Sequence, residues 1–456
     1  MKIQRKVLLL SLLICTGGAR ATDLLELWQS VKVNDPDMAA ALSAQLAGEE
    51  KKNQASALWR PSFNVRGSAG KMTSNSDLAG AKFTAPGFGS LSGAAFNTAI
   101  QNGNAQAWSV QATQPLLSAE RQAHAQQLRN LAKTSEFEWQ VRNDELLLRS
   151  VKQYFDVLLL TQKLNALRHQ HEAIRIEAQK ARDQFQIGEL PITDTHETQA
   201  KEADIRASIM GLENDLQNAV SAVGDASGLP LEGFQVMQPL DTLQPFALKT
   251  QDEWQEKAKN SNPFLKMLSA KVEIASQETR SFQWGASSSL DLVAQAKKQT
   301  LAGLGDYGAA RTNASEEMVG IQFNMPIFTG GMTHSKLREA LNNEEKAKFE
   351  LKSAEQKIHR GVQSAWFDLK IGLDRIAALH AAWLSSQSQL KATQLAREVG
   401  DRTTLDLLNA QNAQTTTEIK LLEAKLAYLF NQLNLASLTG ELDLPALAQV
   451  NAQLRP

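Results

Sequence analysis

The sequence predicts an α+β chain in which very long helices alternate with short runs of β-strand, arranged as an internal twofold repeat. Three observations predict it. The twelve prolines leave two wide gaps, from Pro115 to Pro191 and from Pro326 to Pro445. Proline breaks helices, so each gap marks a long helical tract. Each half also holds two stretches in which apolar and polar residues alternate, the period of a half-buried strand. Finally, the two halves match in order at a shift of roughly 210 to 227 residues, the mark of repeat architecture.

Composition bounds the function. The 456 residues are 43% hydrophobic, too modest and too evenly spread for a bundle of membrane-spanning helices. The formal net charge of −1 lacks the basic surplus that nucleic-acid binding needs, so no nucleic acid is expected as a partner. One cysteine excludes a disulfide framework and any Cys-based zinc or iron–sulfur site.

Residues 1–21 read as a secretory signal peptide. Lys2, Arg5 and Lys6 precede an apolar run from Val7 to Ile14, and Ala19-Arg20-Ala21 forms an A-x-A cleavage site. Cys15 follows Ile14, where a lipid-attachment site wants a small residue, which argues against lipidation.

The repeat is carried by paired landmarks. Trp28 and Trp254 open the halves, followed by Asp35-Pro36 and Asn262-Pro263, then by Ser43-Ala44 and Ser269-Ala270. Trp59 answers Trp284, and Gln111 with Pro115 answers Gln322 with Pro326. Tyr154-Phe155-Asp156 answers Trp366-Phe367-Asp368, Gly188 with Asp194 answers Gly400 with Asp406, and Ala226-Ser227 answers Ala436-Ser437. The first repeat covers 22–228: a helix over 36–59, strands 62–72 and 106–115 flanking a Gly/Ser/Thr/Asn-rich loop, a long helix 116–186 and a helix 191–228. A linker, 229–250, follows. The second repeat covers 251–440: a helix 263–284, strands 288–297 and 317–326, a long helix 331–398 and a helix 403–438. A tail, 441–456, ends the chain.

In the second long tract the apolar positions Leu351, Ala354, Ile358, Val362, Trp366, Leu369, Leu373, Ile376 and Leu379 recur every 3.5 residues or so, the coiled-coil period. On this tract alone a periplasmic coiled-coil scaffold fits as well as anything else. The strands shift the balance, because at about nine to eleven residues they have the length of a tilted membrane-spanning β-strand. Four such strands cannot close a barrel, which needs about eight, so the chain must oligomerise to remove its edges. Asn64, Arg66 and Asp291 interrupt the alternation and are expected on a watery or subunit-interior face.

With these elements in place the sequence resembles the TolC family of trimeric outer-membrane channel proteins, over essentially the whole mature chain. The strand–helix junctions Gln114-Pro115-Leu116-Leu117 and Met325-Pro326-Ile327-Phe328-Thr329-Gly330-Gly331 carry the likeness, with two hairpin tips: Phe185-Gln186-Ile187-Gly188 through Ile192-Thr193-Asp194, and Val399-Gly400-Asp401-Arg402-Thr403 through Leu405-Asp406. The resemblance implies an α+β membrane protein in which three copies contribute four strands each to one twelve-stranded barrel in outer-membrane lipid. The helices would extend into the periplasm as a coiled-coil α-barrel, with 229–250 as an equatorial linker and 441–456 as a periplasmic tail. It implies an exit duct of a tripartite type I secretion or multidrug efflux system, with similarity leaning toward secretion. Its partners would be a periplasmic adaptor (membrane fusion) protein and an inner-membrane ABC exporter or proton-driven pump.

The resemblance also assigns site residues. Arg402 and the aromatic position, here Arg397, would tie the inner hairpin to Thr193 and Asp194. Asp406 would narrow the aperture, and the second aspartate position is Asn409, leaving one acidic ring instead of two. Ile187, Gly188 and Glu189, with Val399, Gly400, Asp401 and Thr403, form the tips that an adaptor would touch. Gly188 and Gly400 suit a tight turn that needs positive φ, and the same residues fit plain helix C-caps.

No GxxxxGK[ST], GxSxG or HExxH motif occurs, so no enzyme and no cofactor is expected. His169 and His171 with Glu172 lie two and three apart; positions two apart on a helix face different ways, so no metal is expected. Trp366 and Trp383 read as packing residues, and Trp59, Trp108 and Trp284 as interfacial anchors.

Overall fold

The computed structural model describes residues 22–87, 89–189, 191–230, 235–283, 287–306 and 308–455. The expected signal peptide and Trp284 lie outside them. In chain order the elements are α1 (Leu24–Asn34), α2 (Pro36–Ala57), β1 (Ser62–Ala85), β2 (Gly89–Ser118), α3 (Ala119–Gln186), α4 (Ile192–Ser227), β3 (Gln238–Pro239), α5 (Gln251–Ser261), α6 (Pro263–Ser281), β4 (Ser289–Gly305), β5 (Gly308–Asn324), α7 (Met332–Glu398), α8 (Thr404–Leu438), α9 (Leu444–Asn451) and β6 (Leu454–Arg455). The chain forms two compact units, and each draws on both halves. One contains Ala47–Thr134 and Leu268–Glu350; the other contains the chain up to Leu46, Ser135–Met267 and Leu351–Pro456. No helix among the described residues is long and apolar enough to cross a membrane.

The first unit holds a four-stranded antiparallel sheet in the order β1-β2-β4-β5. Cross-strand partners share a face. Phe63, Ala112, Ala294 and Val319 therefore form one row across the sheet, and Val65, Val110, Ala296 and Glu317 the next. Leu292 with Ile321, and Leu290 with Phe323, continue the same face toward the helices. Phe63, Val65, Val319, Ile321 and Phe323 are between 65% and 78% exposed, so no described residue covers this apolar face. Asn64, Gln111 and Gln295 occupy the opposite face, as do Arg66, Ser109, Lys297 and Glu316. Asp291 shares that face and pairs with Arg121 of α3 at 2.6 Å. Among the described residues, no strand pairs with the outer sides of β1 and β5.

The strands run much farther than the sequence predicts. The expected loop between 72 and 106 is the far half of a hairpin that pairs as far as Ala85 with Gly89, and β4 with β5 pairs as far as Gly305 with Gly308. Hydrophobic alternation reports a buried face, and the described side chains between 73 and 99 are exposed almost throughout, so no pattern marks them. Their backbone ladder continues regardless, interrupted by register shifts after Met72 and Leu78. The strand–helix junction also moves. β2 passes through Pro115 to Ser118, because the missing N–H falls at a register shift between Pro115 and Leu117. The Ser118 hydroxyl then accepts the Arg121 N–H at 3.2 Å and starts α3. The first helix of each half ends earlier than expected, at Ala57 and Ser281, and a helix not expected from the sequence precedes each, α1 and α5.

The second unit is built around Leu24, Leu27, Trp28, Leu147, Tyr154, Leu158, Val362, Leu429, Leu433 and Leu447, all nearly inaccessible. The repeat reappears here as hydrogen bonding. Tyr154 donates its hydroxyl proton to the Thr22 carbonyl ahead of α1, while its counterpart Trp366 donates its indole N–H to the Lys249 carbonyl ahead of α5. Asp35 accepts the backbone N–H groups of Asp37 and Met38, and its counterpart Asn262 accepts that of Leu265. The segment 235–250 is held by side chains. Met237 N–H donates to the Tyr154 hydroxyl, Phe246 N–H to the Tyr428 hydroxyl, and Lys425 Nζ to the Leu240 carbonyl. Burial raises the Tyr154 phenol pKa above its usual range and keeps it a donor. β3 adds to this by pairing with β6, and Arg455 grips Asp241 through both nitrogens.

Tyr154→Phe removes the partner of two backbone groups at once. A loss of about 1–3 kcal/mol in stability is expected, read as a lowered thermal midpoint of the purified protein by circular dichroism.

Candidate functional site

The two hairpin tips have the same backbone. At the end of α3, Glu189 N–H donates to the Gln184 carbonyl at 2.8 Å and Gly188 N–H to Phe185 at 3.0 Å. At the end of α7, Asp401 N–H donates to Ala396 at 2.8 Å and Gly400 N–H to Arg397 at 3.0 Å. Both are Schellman turns. Gly188 and Gly400 take φ +80° and +81°, where a Cβ would clash with the following carbonyl. Ile187 and Val399 sit at the turns, 70% and 81% exposed, so each turn presents a bare aliphatic side chain. Glu189 and Asp401 are exposed beside them.

Beyond the turns the hairpins diverge. α4 begins after Pro191, whose position offers no side-chain cap. α8 begins with a full capping box: Thr403 Oγ1 accepts the Asp406 N–H at 3.1 Å, and Asp406 Oδ2 accepts the Thr403 N–H at 3.0 Å. The Thr403 hydroxyl adds a bond to the same oxygen at 2.9 Å. The backbone N–H of Thr403, then its hydroxyl, and then the charge of Arg402 hold the Asp406 carboxyl below its ordinary pKa. Asp406, expected at an aperture, is thus also the group that fixes the start of its own helix.

Asp194 is half-buried, with the Thr193 hydroxyl 3.5 Å from its Oδ1. It lines a cleft of about 120 Å³ together with Thr198, Thr403, Thr404 and Leu408, so Asp194 of one hairpin lies beside the helix cap of the other. Beneath the cleft Ile174, Ile205 and Leu408 pack as a small core. Arg402 and Asn409 are exposed, and Arg402 makes no ion pair with another described residue.

Arg397 departs from expectation. Within the chain it pairs with Glu177 of α3, not with Asp194. Glu177 also takes Lys180 at 2.9 Å, and its side chain is 11% exposed. The position is set by the α3 stripe: Ile174, Glu177, Ala178 and Ala181 point the same way and are all buried. A cation near the end of α7 meets an acid already in place, and a buried carboxylate without such a partner is costly. Glu177 was not expected as a site residue. An acid inside an otherwise apolar helical stripe was the available signal.

Among the described residues no group of three or more His, Cys, Asp or Glu is placed to hold a metal ion. His171 Nε2 lies 3.9 Å from Glu202, and Glu172 is engaged by Arg175.

The fold is that of the outer-membrane channel tunnels. It superimposes on the crystal structure of the Campylobacter jejuni CmeC outer membrane channel with a TM-score of 0.72 at 14% identity, covering 92% of this chain and 86% of that one. The outer membrane efflux protein family matches residues 27–229 and 254–441, and the chain belongs to that family. The chain is 26% identical to outer membrane protein TolC of Escherichia coli (strain K12), over 96% of this chain and 86% of that protein. It is 24% identical to the proteases secretion protein PrtF of Dickeya chrysanthemi, over 99% of this chain and 95% of that protein. The family is one of transport channels, not enzymes, and its members are proteins of the outer membrane with a periplasmic extension.

Two outcomes follow from the tip geometry. Gly400→Ala forces a Cβ into positive φ and is expected to cost about 1–2 kcal/mol locally, read as faster amide exchange in residues 396–401. A carboxyl with a depressed folded pKa stabilises above its unfolded pKa and loses that contribution as pH falls through the folded value. Amide protection at the start of α8 is therefore expected to drop below about pH 4, and Asp406→Asn should remove that pH dependence.

Proposed function

We propose that three copies of this chain close their sheets edge to edge into one twelve-stranded barrel and form a passive exit duct across the outer membrane. One observation carries this reading: a four-stranded sheet with an uncovered apolar face and two unpaired edges. Backbone groups cannot stay unpaired in a hydrocarbon phase, so a spanning sheet must be closed. Three copies supply enough strands, and four from one copy do not. The apolar face meets lipid, and the face carrying Asn64, Arg66, Gln295 and Lys297 meets water.

The periplasmic end is the gate. Arg402 is exposed and makes no ion pair with another described residue of its own chain, so it can reach Thr193 and Asp194 of a neighbouring copy. The Arg397–Glu177 pair stays within the protomer and holds α7 against α3 while the tip moves. Asp406 remains ionised at neutral pH because its cap bonds favour the carboxylate, so three copies make an acidic ring that attracts cations. Asn409 adds no second ring. The matched Schellman tips, with Ile187 and Val399 bare, are docking points for a periplasmic adaptor. An inner-membrane ABC exporter or proton-driven pump supplies the energy, in type I protein secretion or in efflux. The residues 22–228 and 251–440 act as two repeats joined by 229–250, with residues 1–21 removed on export.

Purified protein is expected to run as a trimer in detergent and to conduct in planar bilayers; a non-conducting monomer would instead indicate a periplasmic scaffold. Arg402→Ala and Asp194→Ala are each expected to raise single-channel conductance. Unchanged conductance in both variants would mean that these are merely solvated surface charges.

A further inference from the structure

Above the apolar rows the lipid-side face of the sheet changes character. Register places Gly67, Trp108, Lys298 and Ser315 in the next row, then Ala69, Gln106, Thr300 and Asn313, then Lys71, Asn104, Ala302 and Arg311. The Thr300 hydroxyl lies 3.1 Å from Asn313 Oδ1, as residues on one face should. Three cations therefore stand on this face, all on the side of the hairpin ends and away from the helices. Lys71, Lys298 and Arg311 are exposed, and none makes an ion pair with another described residue. No acid lies in their three rows; Glu317 is one row nearer the helices. On the opposite face at the same level, by contrast, Lys297 sits directly across from an acid, Glu316.

Height decides what these cations meet. At a rise of about 3.4 Å per residue, Ser315 lies about 27 Å and Arg311 about 41 Å along the strand from Phe323. With a strand tilt of about 40°, those distances become roughly 21 and 31 Å above the Phe323 row, bracketing the far edge of an apolar band about 25 Å tall. Trp108 lies at the lower of the two levels, where an indole ring suits a membrane interface. Helices lie on the periplasmic side, so this far edge belongs to the outer leaflet.

We infer that Lys71, Lys298 and Arg311 form a belt that binds phosphorylated headgroups of outer-leaflet glycolipid, the lipid A chemistry. The inference rests on the barrel reading. Lys71 and Arg311 lie on the two edge strands, so closure makes the belt continuous around the barrel instead of three isolated patches. Uncompensated cations at the level of lipid phosphates attract them in proportion to their number.

The test uses the full-length trimer in detergent, titrated with bisphosphorylated lipid A, its monophosphoryl form and inorganic phosphate, with bound lipid counted by native mass spectrometry. Wild-type protein is expected to hold the bisphosphorylated form most tightly. Lys71→Gln/Lys298→Gln/Arg311→Gln should weaken it about tenfold or more, while Arg66→Gln/Lys297→Gln on the opposite face should leave it nearly unchanged. Equal affinity in the triple variant, or displacement by inorganic phosphate at matched phosphate concentration, overturns the belt while channel conductance persists. Absence of conductance in the wild-type trimer is a separate outcome: the barrel reading itself fails, and the belt falls with it.

Discussion

Two strand edges without partners, on a sheet whose apolar face is bare, constrain everything else about this protein. Each edge presents a row of N–H and C=O groups that water can satisfy and lipid cannot. The face bearing Phe63, Val65, Ile321 and Phe323 has the opposite preference. A single copy cannot meet both demands. The sheet is amphipathic across its faces and open at its sides, and the proposed edge-to-edge closure between copies would meet both demands together. Lys298 and Arg311 make sense in the same frame, since a cation on a lipid-side face is tolerable only near its boundary.

The helical part obeys a different rule. Its stability comes from a continuous apolar core around Tyr154, Leu429 and Leu433, with the Tyr154 and Tyr428 hydroxyls bonded to backbone groups at its margin. Tyr154 and Trp366 perform the same task in the two halves with different chemistry, a phenol in one and an indole in the other. What the repeat preserves is a donor at a fixed place, not a residue type. Asp35 and Asn262 tell the same story for an acceptor at a helix start.

The tips show where the halves part. Their Schellman turns match bond for bond, yet only α8 carries a capping box, while α4 opens on Pro191. The box ties Asp406 to Thr403 and stiffens the first turn after Gly400. Below the tip of the α7–α8 hairpin, Arg397 joins α7 to α3 through Glu177. A gate built from weak surface pairs over a stiff hairpin can open without unfolding, since exposed pairs are worth only about 0.2–1 kcal/mol each.

The sequence by itself determined the long helices, the twofold repeat, the Gly188 and Gly400 turns and the amphipathic strand bases, because each leaves a local mark: an absent proline, a recurring landmark, a positive-φ residue, a period of two. Three things only the tertiary structure decided. The hairpins run to Ala85 and Gly305, since backbone pairing continues whether or not the side chains alternate. Arg397 belongs to Glu177, since a long cation takes the acid its neighbouring helix brings within reach, and sequence spacing does not record that proximity. The cations Lys71, Lys298 and Arg311 share one face, since residues 227 and 240 positions away from Lys71 are aligned with it by strand register alone.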